Sequence, residues 1–245
     1  MTIGRQFMKE TMYRYLEPSD QRKGLPQPPL ELGYDEAQPI IELPAPADLP
    51  AYPRDLKALI ENRRSARRYA EQALTLDELS FLLWCTQGVK ETVDTHATLR
   101  TVPSAGARHA FETTLLVNNV EGLAPGLYRF LALSHQLVQV KAEPGLADRM
   151  AQACLDQSHV KRSAVTFFWT AVPYRMTWRY GERGYRYLHL DAGHVCQNLY
   201  LAAEALGAGV CAIAAFEDEA LNRLLEFDGE EQCVIYLATV GKREE

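Results

Sequence analysis

The sequence predicts an α+β sandwich built around a mixed sheet, and three observations support this prediction. Helical and strand patterns mix along the chain without the strict alternation that a parallel βαβ sheet requires. Continuous apolar runs at 164–172, 210–216 and 232–240 suit strands that are buried on both faces. The stretch 188–206 is too long and too apolar for anything except a core helix, which ends at Gly207.

The N-terminal part of the chain differs in composition from the remainder. Residues 18–53 contain most of the 13 prolines, which favour extended backbone without internal hydrogen bonds. We therefore expect residues 1–53 to form an extended arm over the surface or over a partner subunit. Residues 54–245 are expected to form a single domain.

Two helices are predicted at the start of that domain. Residues 53–62 have helical apolar spacing, with Pro53 near the first turn, where a missing N–H costs nothing. Thr75 and Glu78 have the spacing of a capping box, which predicts a second helix that stops at Gly88.

The remaining elements follow from shorter patterns. Strands are predicted at 113–118, 126–131 and 137–141, with the last two forming a hairpin. Further helices are predicted at 144–156 and 217–227.

Composition narrows the classes of partner. The net charge of −6 argues against nucleic acid, since domains that bind it usually have a basic excess along one face. No window approaches the length of a membrane span, and the N-terminus lacks the apolar segment of a signal peptide. Five scattered cysteines, without a C-x-x-C pair, argue for reduced thiols rather than disulfides or a zinc site. We expect a cytoplasmic protein that binds neither membrane nor nucleic acid.

An arginine cluster stands out against this acidic background. RRSARRY, residues 63–69, contains four arginines, which repel one another at this spacing if the segment is helical. A small phosphorylated ligand would offset the repulsion, because guanidinium groups bind phosphate oxygens in pairs. The alternative is a solvated helix end, where arginines interact favourably with the helix dipole. If the terminal strand returns to the first helix, Lys242 and Arg243 of the closing GKR join the cluster.

The segment PSAGARHAFE, residues 103–112, is a second candidate for a binding element. Its small residues allow a flat ligand to approach the backbone closely, and Ser104 offers a hydroxyl group. An ordinary loop leading into a strand is the alternative.

Two other patterns are better explained by structural roles. His189 and His194 flank Asp191, but helical positions five apart point in different directions, whereas metal-binding pairs prefer a spacing of four. Gly207 and Gly209 lie between a helix and a strand, the reverse of the order in a dinucleotide-binding turn. We predict no metal site.

In this order and spacing, the motifs resemble those of the FMN-dependent nitroreductase superfamily. RRSARRY resembles its R-R-S-x-R-x-[FY] flavin-phosphate motif, and PSAGARHAFE resembles the P-S-x-G loop beside the flavin ring. Within the superfamily, the chain looks like the branch that includes the thiazole/oxazole (azoline) dehydrogenases. The resemblance covers residues 54–243 and implies a three-layer sandwich, a mixed, mostly antiparallel sheet flanked by helices, in a homodimer with shared active sites.

The resemblance also implies roles for individual residues. Those that would hold the phosphate and ribityl chain of FMN are Arg63, Arg64, Ser65 and Arg67. Those that would contact the flavin ring from the second subunit are Pro103, Ser104, Ala105 and Gly106. Ala214 and Ala215 fall where the family directs a backbone N–H at the ring near N5. Arg243, together with Lys242, would complete the phosphate clamp.

The chain departs from the azoline dehydrogenases before the long helix. Those enzymes resemble one another in a Lys-Tyr pair, where this chain has Arg179 and Tyr180. Arginine is effectively always protonated, so it cannot act as the base that a lysine could provide. We therefore expect a stand-alone reductase, with Arg179 and Tyr180 as a candidate gate for the acceptor.

The function implied by the resemblance is a ping-pong oxidoreductase. NAD(P)H would be the co-substrate, FMN the cofactor, and a small molecule such as a nitroaromatic or a quinone the acceptor. The flavin carries this chemistry, so no protein side chain is assigned as catalytic. Two alternatives stay open: a flavin-dependent dehydrogenase of an azoline or other peptide-derived substrate, and a non-catalytic flavin-binding protein.

Overall fold

The computed structural model describes residues 1–53, 55–94 and 96–244. Its helices are α1 (Ile3–Glu10), α2 (Leu56–Asn62), α3 (Leu76–Gln87), α4 (Leu146–Ala153), α5 (His159–Arg162), α6 (Pro173–Tyr180), α7 (Gly184–Ala205) and α8 (Asp218–Leu224). Its strands are β1 (Ile40–Glu42), β2 (Val89–Val93), β3 (Ala97–Arg100), β4 (Phe111–Val117), β5 (Gly126–Leu131), β6 (Gln136–Lys141), β7 (Val165–Ala171), β8 (Ala208–Ile213) and β9 (Cys233–Lys242). The end residues of the predicted domain, Arg54 and Glu245, lie outside the described residues.

The strands form one seven-stranded sheet and one separate hairpin. The sheet has the order β1-β6-β5-β4-β7-β9-β8, and β2 pairs only with β3. Every pairing between these strands is antiparallel. Among the described residues, parallel pairing occurs in isolated bridges, one of which joins Ser65 to Val210. The predicted α+β class is confirmed, and the mixed character of the sheet comes from these bridges.

Helices cover both faces of the sheet, which gives the three predicted layers. On one face, α3 and α7 contribute buried residues such as Leu83 and Leu199 to the larger core. On the other, α4 and α8 contribute Met150 and Leu221 to a second core. All seven residues of the central strand β7 are buried, as its unbroken apolar run predicted.

The capping signals that predicted α3 are present. Thr75 Oγ1 accepts a hydrogen bond from the Glu78 N–H (3.2 Å), and the Glu78 carboxylate accepts one from the Thr75 N–H (3.0 Å). The helix ends at Gly88, whose φ of −56° is a backbone angle that any residue can adopt. A side chain there would overlap the Trp84 ring, so close packing explains the glycine.

Helix α6 was not predicted, and α7 begins earlier than predicted. α6 begins with Pro173 in its first turn, directly after β7, and α7 begins at Gly184 rather than at residue 188. The polar sequence between them, interrupted by Gly181, hides the helical periodicity. The hairpin β2–β3 was also missed, because its strands are short and largely exposed.

The N-terminal arm lies on its own chain and contains two regular elements, α1 and β1. Strand β1 extends the sheet by pairing Ile40 with Val138 of β6. Two guanidinium groups bind backbone carbonyls of the arm: Arg175 Nε donates to Pro29 O (2.8 Å), and Arg129 donates to Gly33 O (2.9 Å). The division into an arm and a domain stays a prediction, but these bonds attach the arm to the sheet.

Candidate functional site

The arginine cluster lies directly after α2 in an extended segment rather than inside a helix. The Ala66 N–H donates to Val210 O of β8 (2.8 Å), and the Ala70 N–H donates to Lys242 O of β9 (2.9 Å). The segment therefore contacts both β8 and the end of β9, and β9 is the terminal strand that was expected to return to it. Because alternate residues of an extended chain point in opposite directions, the arginines repel one another less than they would on one helix face.

Tyr200 of α7 holds this segment in place. Its hydroxyl oxygen accepts a hydrogen bond from the Ala212 N–H (3.0 Å) and lies 2.9 Å from Ser65 Oγ. The Arg63 guanidinium lies over the same ring, 5.2 Å from its centroid. Tyr200 therefore links the predicted phosphate motif to the end of β8, a role that no local pattern in the sequence indicates.

The arginines of the cluster form no ion pairs within the part of the chain that the structure describes. Among residues 1–53, 55–94 and 96–244, no ion pair involves Arg63, Arg64 or Arg67. Tyr69 anchors the end of the motif instead, since its hydroxyl donates to Ala66 O (2.8 Å) and lies 2.7 Å from Thr239 Oγ1. The chain is thus fixed while the guanidinium groups stay available for an anion.

The two cations at the end of β9 lie beside this segment but are already paired. Lys242 forms an ion pair with Glu78, and Arg243 forms one with Glu204, with 3.1 Å between Nη1 and Oε1. A Cβ on Gly209 would lie 2.5 Å from Ala66 Cβ and 3.4 Å from Arg243 Cγ. Gly209 therefore packs against both Ala66 of the cluster and the Arg243 side chain. The buried Arg243 Nε has no hydrogen-bond partner among the described residues. That these two cations complete a phosphate clamp stays a prediction.

The small-residue loop forms a short 3-10 turn at Ala105–Ala107. Ser104 Oγ accepts a hydrogen bond from the His109 N–H (2.9 Å), which closes the loop. Gly106, Ala107 and His109 have φ values of 59°, 52° and 42°. Two non-glycine residues in the left-handed region are energetically unfavourable, and such strain clusters at functional sites.

Asp191 of α7 holds this loop through a hydrogen bond to its backbone. Its Oδ1 accepts a hydrogen bond from the Ala105 N–H (3.3 Å), while its buried Oδ2 has no partner among the described residues. Burial raises the pKa of Asp191, although hydrogen bonds from Ser104 and Ala105 oppose the shift. His189 Nδ1 lies 2.8 Å from Tyr185 O, so this imidazole is satisfied by a backbone carbonyl of its own helix. The described residues contain no group of three or more His, Cys, Asp or Glu side chains suited to a metal ion.

The candidate gate lies against the same loop. A Cβ on Gly106 would lie 2.8 Å from Arg179 Nε and would also overlap the Tyr180 hydroxyl. Arg108 Nε donates to Gly106 O (3.1 Å), which brings a second guanidinium to this point. The structure therefore brings Arg179 and Tyr180 together with the Pro103–Gly106 loop, a contact that requires glycine at 106.

Ala214 and Ala215 follow the last residue of β8 and are exposed. Ala215 O accepts a hydrogen bond from Gln157 Nε2 (2.9 Å), which fixes this turn from the opposite face of the sheet. Ala214 therefore directly follows the end of β8, the strand that Ser65 contacts at Val210.

Within one chain, the two halves of the predicted site lie on opposite flanks of α7. Asp191, which holds the loop, and Tyr200, which holds the arginine segment, are nine positions apart in this helix. Nine residues correspond to about two and a half turns and about 13.5 Å of rise, so the two side chains point in opposite directions.

A buried ionic network lies behind the loop. Glu112 and Arg175 form an ion pair of 2.6 Å with side chains 7% and 2% exposed. Glu112 also accepts a hydrogen bond from the Leu32 N–H of the arm (2.9 Å). Burial, together with Arg100 nearby, lowers the pKa of His109 to about 3, so its imidazole is neutral. This network fixes the strained loop between the sheet and the arm.

No helix among the described residues has both the length and the apolar character that crossing a bilayer requires.

Comparison with known proteins places this geometry in a family context. The model of the nitroreductase family matches residues 60–242. A protein of Methanocaldococcus jannaschii named as a nitroreductase is 34% identical over 188 residues, which are 77% of this chain and 91% of that protein. A trifolitoxin-processing protein of Rhizobium leguminosarum bv. trifolii is 29% identical over 163 residues, 63% of this chain and 44% of that protein.

A solved structure shares the fold. The crystal structure of an Anabaena variabilis protein named as a nitroreductase superposes with a TM-score of 0.66 at 33% identity. The alignment covers 78% of this chain but only 38% of that one, so this chain spans less than half of the Anabaena protein.

Proposed function

The chain belongs to the nitroreductase family, and from this we propose that it is an FMN-dependent oxidoreductase. In the proposed reaction, electrons pass from NAD(P)H to a small acceptor, such as a nitroaromatic or a quinone, in a ping-pong cycle in the cytoplasm. The observation that carries the proposal is the fixed segment 63–67 with its three unpaired guanidinium groups.

The donors around this segment suit a terminal phosphate. Arg63, Arg64 and Arg67 supply charge without having to break an ion pair, and Ser65 supplies a hydroxyl group. Arg243 Nε, which is buried and has no hydrogen-bond partner among the described residues, is a further donor beside Gly209, where the absence of a side chain lets Ala66 pack closely. The Nη groups of Arg243 must leave Glu204 before they can bind phosphate. The ammonium of Lys242 must likewise leave Glu78. The residues present therefore fit an FMN phosphate.

FMN, when bound, supplies the redox chemistry, and this chain supplies its placement and environment. The arginines bind and orient the phosphate, while backbone N–H groups at Ala214 and Ala215 would face the ring. Fixed donors and positive charge of this kind stabilise an anionic reduced cofactor without rearrangement. Arg179 and Tyr180, at the Gly106 loop, would control access of the acceptor and exclude water.

We further propose a homodimer that shares its sites. The arginine segment and the Pro103–Gly106 loop flank α7 on opposite sides, so a site that uses both would combine one segment with the loop of a partner. Several apolar side chains outside the core are available for association, among them Leu56, Ile60 and Leu190, which are 58%, 51% and 59% exposed. Burying them between two copies would favour the dimer.

The test is anaerobic reduction of the purified protein. The proposal predicts a yellow preparation whose flavin absorbance is bleached by NADH or NADPH and restored by a nitroaromatic or a quinone. A flavin that neither nucleotide reduces would favour the non-catalytic alternative. A preparation that cannot be loaded with FMN at all would contradict the proposal.

A second candidate is favoured by the similarity to the trifolitoxin-processing protein. In this alternative, the chain would be a flavin-dependent dehydrogenase of an azoline or other peptide-derived substrate. Arg179 separates the two candidates, because a permanently charged guanidinium cannot remove a proton.

Variants of Arg179 test both candidates together. If this residue gates the acceptor, Arg179→Ala should raise the acceptor KM or lower kcat/KM without changing the FMN content. Arg179→Lys introduces an amine that can titrate, so a gain of azoline oxidation would favour the second candidate. Unchanged kinetics in both variants would show that Arg179 has only a structural role.

A further inference from the structure

The N-terminal arm crosses the end of α6 and forms one wall of a cleft beside the candidate gate. The cleft has a volume of about 470 Å³ and lies between arm residues 13–22 and the pair Arg179 and Tyr180. A second cleft of about 400 Å³ lies on the other side of the same arm segment. The segment around Glu17 is therefore a narrow wall between two clefts.

Hydrogen bonds fix this wall at both ends. At one end, Arg183 Nη1 donates to Thr11 O (2.9 Å), and the Tyr13 and Tyr187 hydroxyl groups lie 2.9 Å apart. At the other end, the Gln21 N–H donates to the backbone carbonyl of Trp178 in α6 (2.8 Å). The cleft is therefore preformed by contacts between the arm and the body of the protein.

The cleft borders the loop assigned to the flavin ring. Arg179 and Tyr180 line the cleft and also lie against Gly106. Arg179 and Tyr180 therefore form the boundary that the cleft shares with the loop.

The lining of the cleft has an excess of positive charge. Its charged residues are Glu17, Arg22 and Arg179, which give a net charge of +1. Among the described residues, none of the ion pairs involves any of the three. The rings of Tyr13 and Tyr180 complete a surface that suits a flat, conjugated molecule.

We propose that this cleft binds the carboxylate of a planar, conjugated electron acceptor, with Arg22 of the arm and Arg179 of α6 as the recognising cations. The arm thereby becomes a specificity element of the active site. The term acceptor rests on the proposed function, whereas preferential binding of a planar carboxylate does not.

The test is equilibrium binding to the purified protein in the absence of nucleotide. Calorimetry measures the affinities for 4-nitrobenzoate and for the uncharged 4-nitrobenzamide. The ratio of the two affinities is the preference for the anion. The proposal predicts that Arg22→Gln lowers this preference about three- to tenfold, the range of an exposed charge-assisted hydrogen bond. Glu17→Gln should raise it, because it removes the only carboxylate in the lining. Arg5→Gln in α1, outside the lining, is the matched control and should change nothing.

Three outcomes would overturn the proposal. The first is an absence of preference for 4-nitrobenzoate in the wild type. The second is a preference that neither Arg22→Gln nor Glu17→Gln changes in correctly folded protein. The third is a loss of NAD(P)H affinity in Arg22→Gln with the preference intact, which would assign the cations to the nucleotide. An intact preference without turnover would instead count against the proposed function alone.

Discussion

Asp191 and Tyr200 point to opposite sides of the same helix, α7, and each holds one half of the predicted flavin site. Asp191 binds the Ala105 N–H of the small-residue loop, and Tyr200 binds the Ala212 N–H beside the arginine segment. This arrangement separates the two motifs of one chain across α7. It leads directly to a prediction about mixed dimers.

Mixing two defective subunits should restore part of the activity. Arg67→Ala removes a cation from one half of the site, and Ser104→Trp blocks the loop of the other half. A heterodimer that shares its sites recombines one intact arginine segment with one intact loop, so flavin binding should return at one of two sites. Absence of any recovery in heterodimers purified with two different tags would count against shared sites.

Tyr200→Phe should weaken FMN binding without removing any charge. The variant loses the hydroxyl that accepts from Ala212 and contacts Ser65, so we expect a loss of about 0.5–1.5 kcal/mol in FMN affinity. Fluorescence titration with FMN measures this loss, and circular dichroism checks the fold. Tyr185→Phe, on an exposed part of the same helix, is the control. Equal FMN affinity in all three proteins would show that Tyr200 does not position the segment.

Glu112→Gln should destabilise the protein strongly. Loss of this carboxylate leaves the buried Arg175 guanidinium without its counter-charge, a change that typically costs about 3–5 kcal/mol. Glu219→Gln removes the acidic partner of Arg223 in an exposed pair and should cost less than about 1 kcal/mol. Urea denaturation of both variants measures the difference. Similar stabilities would show that the buried pair contributes no more than a surface pair.

Acid should destabilise the protein through His109. Its pKa is lowered to about 3 in the folded state, so the unfolded chain binds the additional proton between about pH 6.5 and pH 3. The contribution of neutral His109 is therefore present above that window and is lost as the pH falls, by up to about 1.4 kcal/mol per pH unit. In His109→Gln, the free energy of unfolding should depend less on pH between 6.5 and 4. An identical slope in the variant would exclude His109 as the source.

Local signals in the sequence predicted most of the fold and the order of the motifs. The capping box of α3, the apolar run of β7 and the long apolar stretch of α7 each depend on neighbouring residues, and all three elements are present. Long-range contacts were not predictable in this way. The ion pair between Lys242 and Glu78 joins residues 164 positions apart, and that of Arg243 with Glu204 spans 39. No local pattern indicates such partners.

The same reasoning explains what was missed in the site. The sequence groups Asp191 with its neighbouring histidines, because no local pattern connects it to Ala105, 86 positions away. Tyr200 resembled any other apolar residue of a core helix. The arm was recognised from its prolines, but the cations that bind it, Arg129 and Arg175, lie in distant elements.

The most direct test of the account compares FMN with riboflavin, because the arginine segment is assigned to the phosphate that riboflavin lacks. The account predicts that Arg64→Ala and Arg67→Ala each weaken FMN binding by about 1.5–3 kcal/mol, the scale of a charge-assisted hydrogen bond. Riboflavin should bind the wild type and both variants equally, and Arg5→Ala in α1 should bind FMN like the wild type. Unchanged FMN affinity in Arg67→Ala would contradict the account and leave the cluster as a solvated chain segment.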